Sequence, residues 1–107
     1  MPITDISAQQ LQQRLQNQED LVLLDVREDN EYAHAHISGS LHIPLRQLPQ
    51  AIAQLDAARD LVVLCHHGVR SQQACLFLEQ YGFQRLYNLR GGIDAWSLNC
   101  DPTVSRY

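Results

Sequence analysis

The chain has 107 residues, with 8 basic and 12 acidic side chains and a formal charge of −4. That length suits one domain, able to bury roughly two thirds of its unfolded surface without staples. The absence of a basic patch argues against a nucleic-acid partner, and no apolar run nears the roughly 20 residues needed to cross a bilayer.

The opening Met1-Pro2-Ile3-Thr4-Asp5 has no basic segment followed by an apolar one, so no signal peptide is expected. Ser7 can cap a helix running to about Asn17, with Leu11 and Leu15 four apart and glutamines covering a solvated face. In Leu21-Val22-Leu23-Leu24-Asp25-Val26 a continuous apolar run ends in an acid, as suits a strand buried on both faces. Residues 28–35 suit a short helix with acids at its start. Ser38-Gly39-Ser40 is a turn, and Leu41-His42-Ile43 a brief strand stopped by Pro44. Pro49 fits the first turn of a helix carrying Ile52 and Leu55. Leu61-Val62-Val63-Leu64 is a second buried strand, ending at Cys65. Beyond a loop, Ala74, Phe77, Leu78 and Tyr81 recur at helical spacing, and Gly82 ends that helix. Leu86-Tyr87-Asn88-Leu89 is a further short strand. Gly91-Gly92 turns the chain into a last short helix around residues 93–96, packed by Trp96, and an irregular tail covers 99–107.

Strands alternating with helices predict an α/β domain spanning 1–107. Its central parallel sheet has about five short strands, with helices on both faces. Ligands of such sheets bind beyond the carboxyl ends of the strands, where Cys65 and Asp25 both lie. Cys65-His66-His67-Gly68-Val69-Arg70 reads as a loop between strand and helix. The N–H groups of His66 to Arg70 can curl round the Cys65 sulfur as an anion-binding nest. Gly68 supplies the residue free to take positive φ, and Arg70 adds a permanent cation. A thiol so held has a lowered pKa and is a good nucleophile. The alternative is a buried strand-end cysteine followed by a solvated arginine.

Several segments in order resemble one family. Leu24-Asp25-Val26-Arg27-Glu28 with Glu31-Tyr32, then His36-Ile37-Ser38-Gly39-Ser40 with Ile43-Pro44-Leu45, the cysteine loop, and Leu89-Arg90-Gly91-Gly92-Ile93 with Ala95-Trp96 together resemble the rhodanese-like domain. The likeness spans about 3–96 and is nearest to single-domain bacterial sulfurtransferases. Ala35 and Ser40 stand where the family usually has glycine and alanine, outside the loop.

The resemblance implies a three-layer rhodanese-like fold and a sulfurtransferase in which the Cys65 thiolate takes the outer sulfur of thiosulfate or of a persulfide donor. The Cys65 persulfide then yields it to a thiophilic acceptor such as cyanide or a cellular thiol or protein. No metal or organic cofactor is called for. Related phosphatases carry one more residue between cysteine and arginine. The shorter loop therefore argues against a small phosphatase or arsenate reductase, and the retained cysteine against a non-catalytic interaction module. The Cys-Gly-Ser/Thr-Gly pattern of mercaptopyruvate-using relatives is absent.

Arg70 either holds the sulfonate of thiosulfate or braces the loop against a carboxylate. His66 and His67 either add charge near the sulfur when protonated or point to solvent. Asp25 is a general base or, more simply, an acceptor for neighbouring loop N–H groups. Arg27 and Glu31, four apart, are expected by resemblance to form an ion pair in the pocket wall. Cys75 is expected in the core, and Cys100 is either a resolving partner or a passive thiol. No C-x-x-C or H-x-x-x-H spacing marks a metal site. Three cysteines, few and odd in number, suggest a reducing compartment, hence the cytoplasm. A monomer or weak dimer with no membrane partner is expected.

Overall fold

The computed structural model describes residues 3–107. Met1 and Pro2, where the predicted domain begins, lie outside the described residues. The strands are β1 (Ile3–Ile6), β2 (Leu21–Asp25), β3 (Leu41–His42), β4 (Asp60–Leu64) and β5 (Leu86–Leu89). The helices are α1 (Ala8–Gln16), α2 (Asp29–His34), α3 (Leu48–Ala51), α4 (Val69–Gln80) and α5 (Gly92–Asn99). All strand pairings are parallel, in the order β1-β5-β4-β2-β3.

The apolar runs of β2 and β4 are continuous because both faces of the sheet are covered. Along β4 and into the loop, Leu61, Val63 and Cys65 pack with Leu48, Ala74, Cys75 and Leu78 of α3 and α4. Val62 and Leu64 turn the other way, onto Leu11 of α1 and Ile93 and Trp96 of α5. The strand period of two thus divides one run between two cores, giving three layers. Each fully buried Leu or Val contributes roughly 1.5–3 kcal/mol. A one-residue slip of β4 would exchange both sets at once, so its register is strongly specified. Ser7 caps α1 through a reciprocal box. Gln10 N–H donates to Ser7 Oγ at 3.1 Å, and Ser7 N–H donates to Gln10 Oε1 at 2.9 Å. Among the described residues, no helix is long and apolar enough to cross a membrane.

Four elements differ from the sequence expectation. Ile3-Thr4-Asp5-Ile6 is an edge strand, ordered by pairing with β5; its apolar and polar residues do not alternate, so the period-two pattern of a strand is missing. The helix expected at Pro49 is one α-turn between two 3₁₀ turns, Leu45–Gln47 and Ile52–Gln54. Tyr81, grouped by spacing with the apolar face of α4, is its exposed C-cap and touches only the edge of the core, through Phe77 at 4.8 Å between ring centroids. The last helix extends to Asn99. The irregular tail beyond it is nonetheless packed: Val104 is buried, and its carbonyl accepts from Ser97 Oγ at 2.5 Å.

Candidate active site

The carboxyl ends of β2, β4 and β5 bring together a cysteine, two ion pairs and the tail. Cys65 follows β4 directly and is 2% exposed. Gly68 caps α4 with φ +115°, a conformation open to glycine, and its N–H donates to Cys65 Sγ at 3.0 Å. Ser71 Oγ lies 3.3 Å from the same sulfur. The predicted ring of five amides is therefore, in its hydrogen bonds, one amide and one hydroxyl. The loop is also tied to α5. Ile93 N–H donates to Cys65 O at 2.8 Å and Asp94 N–H to His66 O at 3.2 Å. Loop carbonyls thus satisfy the open amides at the helix N-terminus.

Gly92 makes this approach possible. It has φ +61°, and a Cβ there would run into the Cys65 and His66 carbonyls. The sequence signal for this contact, Gly91-Gly92, was visible, but a turn was all it implied.

The ion pairs correct the predicted Arg27–Glu31 bridge. Arg27 and Asp25 are both fully buried and pair with each other, Arg27 donating to the Asp25 carboxylate from Nη2 at 2.6 Å and from Nε at 2.9 Å. Of α2 and its C-cap, Arg27 reaches only the main chain, the carbonyls of Glu31 at 3.2 Å and Ala35 at 2.6 Å. Asp25 also accepts from Arg27 N–H at 3.1 Å, so of its two readings the structural one describes its contacts.

Glu31 instead meets Arg70 in a two-pronged bridge, at 2.5 and 2.9 Å. Arg70 therefore braces the loop against α2. The physical reason is that α2 starts at Asp29 with Glu28 as its N-cap. Arg27 is thus not on the helix, and the four-residue spacing carries no helical meaning.

Arg70 holds the Glu31 carboxyl down to about 2, from an ordinary 4.5, and the Glu28 N–H and Tyr107 hydroxyl add to this against burial. A lowered folded-state pKa stabilises the fold above the unfolded value, and that contribution disappears as pH falls from about 4.5 toward 2. With Arg70 a third exposed, screening leaves about 1 kcal/mol at neutral pH. Glu31→Gln is expected to lower stability by that amount at pH 7 and to flatten the acid limb of urea midpoint against pH.

The tail supplies a residue that the sequence did not single out. Tyr107 stacks on His66 at 3.9 Å between ring centroids, accepts from Arg27 Nη1 at 3.0 Å and donates to Glu31 Oε2 at 2.9 Å. His66 also stacks on His67 at 4.0 Å. Burial and the neighbouring His67 lower the His66 pKa, so His66 is neutral near pH 7 and supplies no charge to the sulfur. The His67 side chain is 63% exposed, and Val69 points outward. Cys75 sits in the core, where burial pushes its thiol up to about 12 and keeps it protonated. Burial also raises the Cys100 thiol, out on the tail.

A parallel sheet that delivers a cysteine into a loop closed by a glycine, an arginine and the next helix defines an α/β domain built around one buried thiol. The family profile described as Rhodanese-like domain matches residues 7–99. The chain is 39% identical over 103 residues to a sulfurtransferase of Allochromatium vinosum, covering 96% of each chain. It is 41% identical over 75 residues to the thiosulfate sulfurtransferase GlpE of Stutzerimonas stutzeri, covering 70% of this chain and 69% of that one. Among solved structures it is similar to a rhodanese-like domain protein from Staphylococcus aureus, with TM-score 0.85, 26% identity, and 97% and 98% of the two chains covered. The chain belongs to the rhodanese-like domain family, and these curated relatives are sulfurtransferases.

Proposed function

We propose that this protein is a thiosulfate sulfurtransferase that carries sulfane sulfur on Cys65. The observation that carries the reading is the placement of Cys65 Sγ at the end of β4, with the Gly68 N–H on the sulfur at 3.0 Å. The likeness to relatives named for thiosulfate supports the choice of donor.

In the first step the Cys65 thiolate attacks the outer sulfur of thiosulfate. The new S–S bond takes its electron pair from Cys65, the S–S bond of thiosulfate breaks, and sulfite leaves with that pair. Cys65 persulfide remains. In the second step a thiophilic acceptor, cyanide in an assay or a thiol or protein in the cell, takes the outer sulfur and returns the thiolate. With both prongs of Arg70 on Glu31, the arginine orders the loop, and recognition of the anion falls to loop N–H groups. Cys65 is 2% exposed, so donor and acceptor reach it when the side chains above it part. Few cysteines, all free, support a reducing compartment such as the cytoplasm.

Intact mass after incubation with thiosulfate tests the reading. The expected result is gain of one sulfur atom, lost again on adding cyanide, with no gain in Cys65→Ser. Absence of the gain in the unaltered protein, or its persistence in Cys65→Ser, would remove Cys65 as the carrier.

A further inference from the structure

Behind the loop, three side chains from three successive parts of the fold form one buried hydrogen-bonded row. Cys65 Sγ contacts Ser71 Oγ at 3.3 Å, and Ser71 Oγ donates to Asn88 Oδ1 at 2.5 Å. Ser71 has no exposed surface and Asn88 is 7% exposed, so bulk water competes little for these groups. The nitrogen end of Asn88 is committed elsewhere, donating to Gly68 O at 3.3 Å and Gln72 Oε1 at 3.2 Å. Two acceptors at the nitrogen end fix which end of the amide faces Ser71. Asn88 thereby holds both the hydroxyl and the glycine whose N–H bonds the sulfur.

A serine hydroxyl has one hydrogen. While Asn88 takes it, Ser71 presents a lone pair to the sulfur. That suits a thiol, whose S–H donates to it, and opposes a thiolate. When Cys65 ionises, its proton leaves to solvent and the hydroxyl can stabilise the anion only by turning its hydrogen from Asn88 to sulfur. We propose that Ser71 is a positioning hydroxyl shared between Cys65 and Asn88, and that Asn88, by competing for its single hydrogen, sets how readily Cys65 becomes a nucleophile. This rests on Cys65 being the sulfur carrier, and extends that reading to two residues on α4 and β5.

The other titratable and charged groups around the site include Arg70 with Glu31 from α2, His66 and His67 in the loop, Tyr107 from the tail on His66, Asp94 on α5, the Asp25–Arg27 pair after β2, and Cys75 on α4. Among the described residues, the side chains hydrogen-bonded to Ser71 Oγ are Cys65 and Asn88. The two variants therefore have opposite expected effects. Ser71→Ala removes the donor to the thiolate, and a charge-assisted bond outweighs the neutral bonds lost from the thiol, so the Cys65 pKa rises by about one unit. Asn88→Ala frees the hydroxyl for sulfur, and the pKa falls by about half a unit. In a Ser71→Ala background the Asn88 change adds nothing, and Ser71→Thr, which keeps the hydroxyl, stays near the unaltered value.

The measurement is the rate of Cys65 alkylation by iodoacetamide against pH, followed by mass of the Cys65 peptide. Loosening of the loop alone would move Asn88→Ala upward, because it frees the Gly68 carbonyl that Asn88 holds and with it the Gly68 N–H on the sulfur. Shifts of opposite sign support the proposal, and shifts of the same sign, or none in either single variant, overturn it. Should Asn88→Ala not fold, the serine variants decide: a rise with alanine but not with threonine supports, and equal values for the two overturn. Because alkylation needs no thiosulfate, this result stands apart from that of the persulfide test.

Discussion

Arg27→Ala is expected to lower the stability of the domain by about 3–5 kcal/mol, read as a drop in urea midpoint and in Tm. Arg27 is fully buried, and so is the Asp25 carboxylate it neutralises. Removing the guanidinium leaves that carboxylate in the core with the single main-chain bond from residue 27. It also orphans the Ala35 carbonyl, which accepts from Arg27 at 2.6 Å. Since a small domain has a total stability of roughly 5–15 kcal/mol, the variant is near the edge of folding. Asp25→Leu combined with Arg27→Met is expected to recover part of the loss, because replacing both charges removes the stranded anion but not the stranded carbonyl. A single variant as stable as the unaltered protein would show that water or a rearranged side chain reaches Asp25.

Gly92→Ala is expected to lower stability by roughly 2–4 kcal/mol and sulfur transfer by about 10²-fold. Two effects add. Alanine at φ +61° is strained, and its methyl would occupy the space of the Cys65 and His66 carbonyls. Those carbonyls can move only by giving up the Ile93 and Asp94 N–H groups, and the nucleophile moves with them. Gly39→Ala is the comparison: it shares a positive φ of 83° but has open space for a Cβ, so it should lose stability from backbone strain alone and keep its activity. Equal activity loss in the two variants would mean that close packing of α5 on the loop does not position Cys65.

Fold and site were legible in the chain to different depths. The buried runs ending at Asp25 and Cys65 identified β2 and β4, and the glycine at 68 marked the loop, because burial on both faces and positive φ each restrict residue choice strongly. β1 was not legible, because an edge strand with Thr4 and Asp5 is a strand only by virtue of β5. The Arg27–Glu31 expectation failed because spacing by four presumes a helix, and α2 begins two residues after Arg27. Glu31 was thereby left for Arg70, 39 residues away along the chain. Ser71 and Asn88 carried no motif of their own, and Tyr107 lay in a tail without periodicity.

Local patterning alone therefore determined that this is a parallel α/β domain with one cysteine at the end of an inner strand, since period and backbone freedom are properties of neighbouring residues. Only the folded chain decided which carboxylate meets which arginine, which hydroxyl and amide touch the sulfur, and what covers the loop. Those contacts join segments far apart in sequence, and their partners are chosen by distance and burial once the sheet has brought the strand ends together.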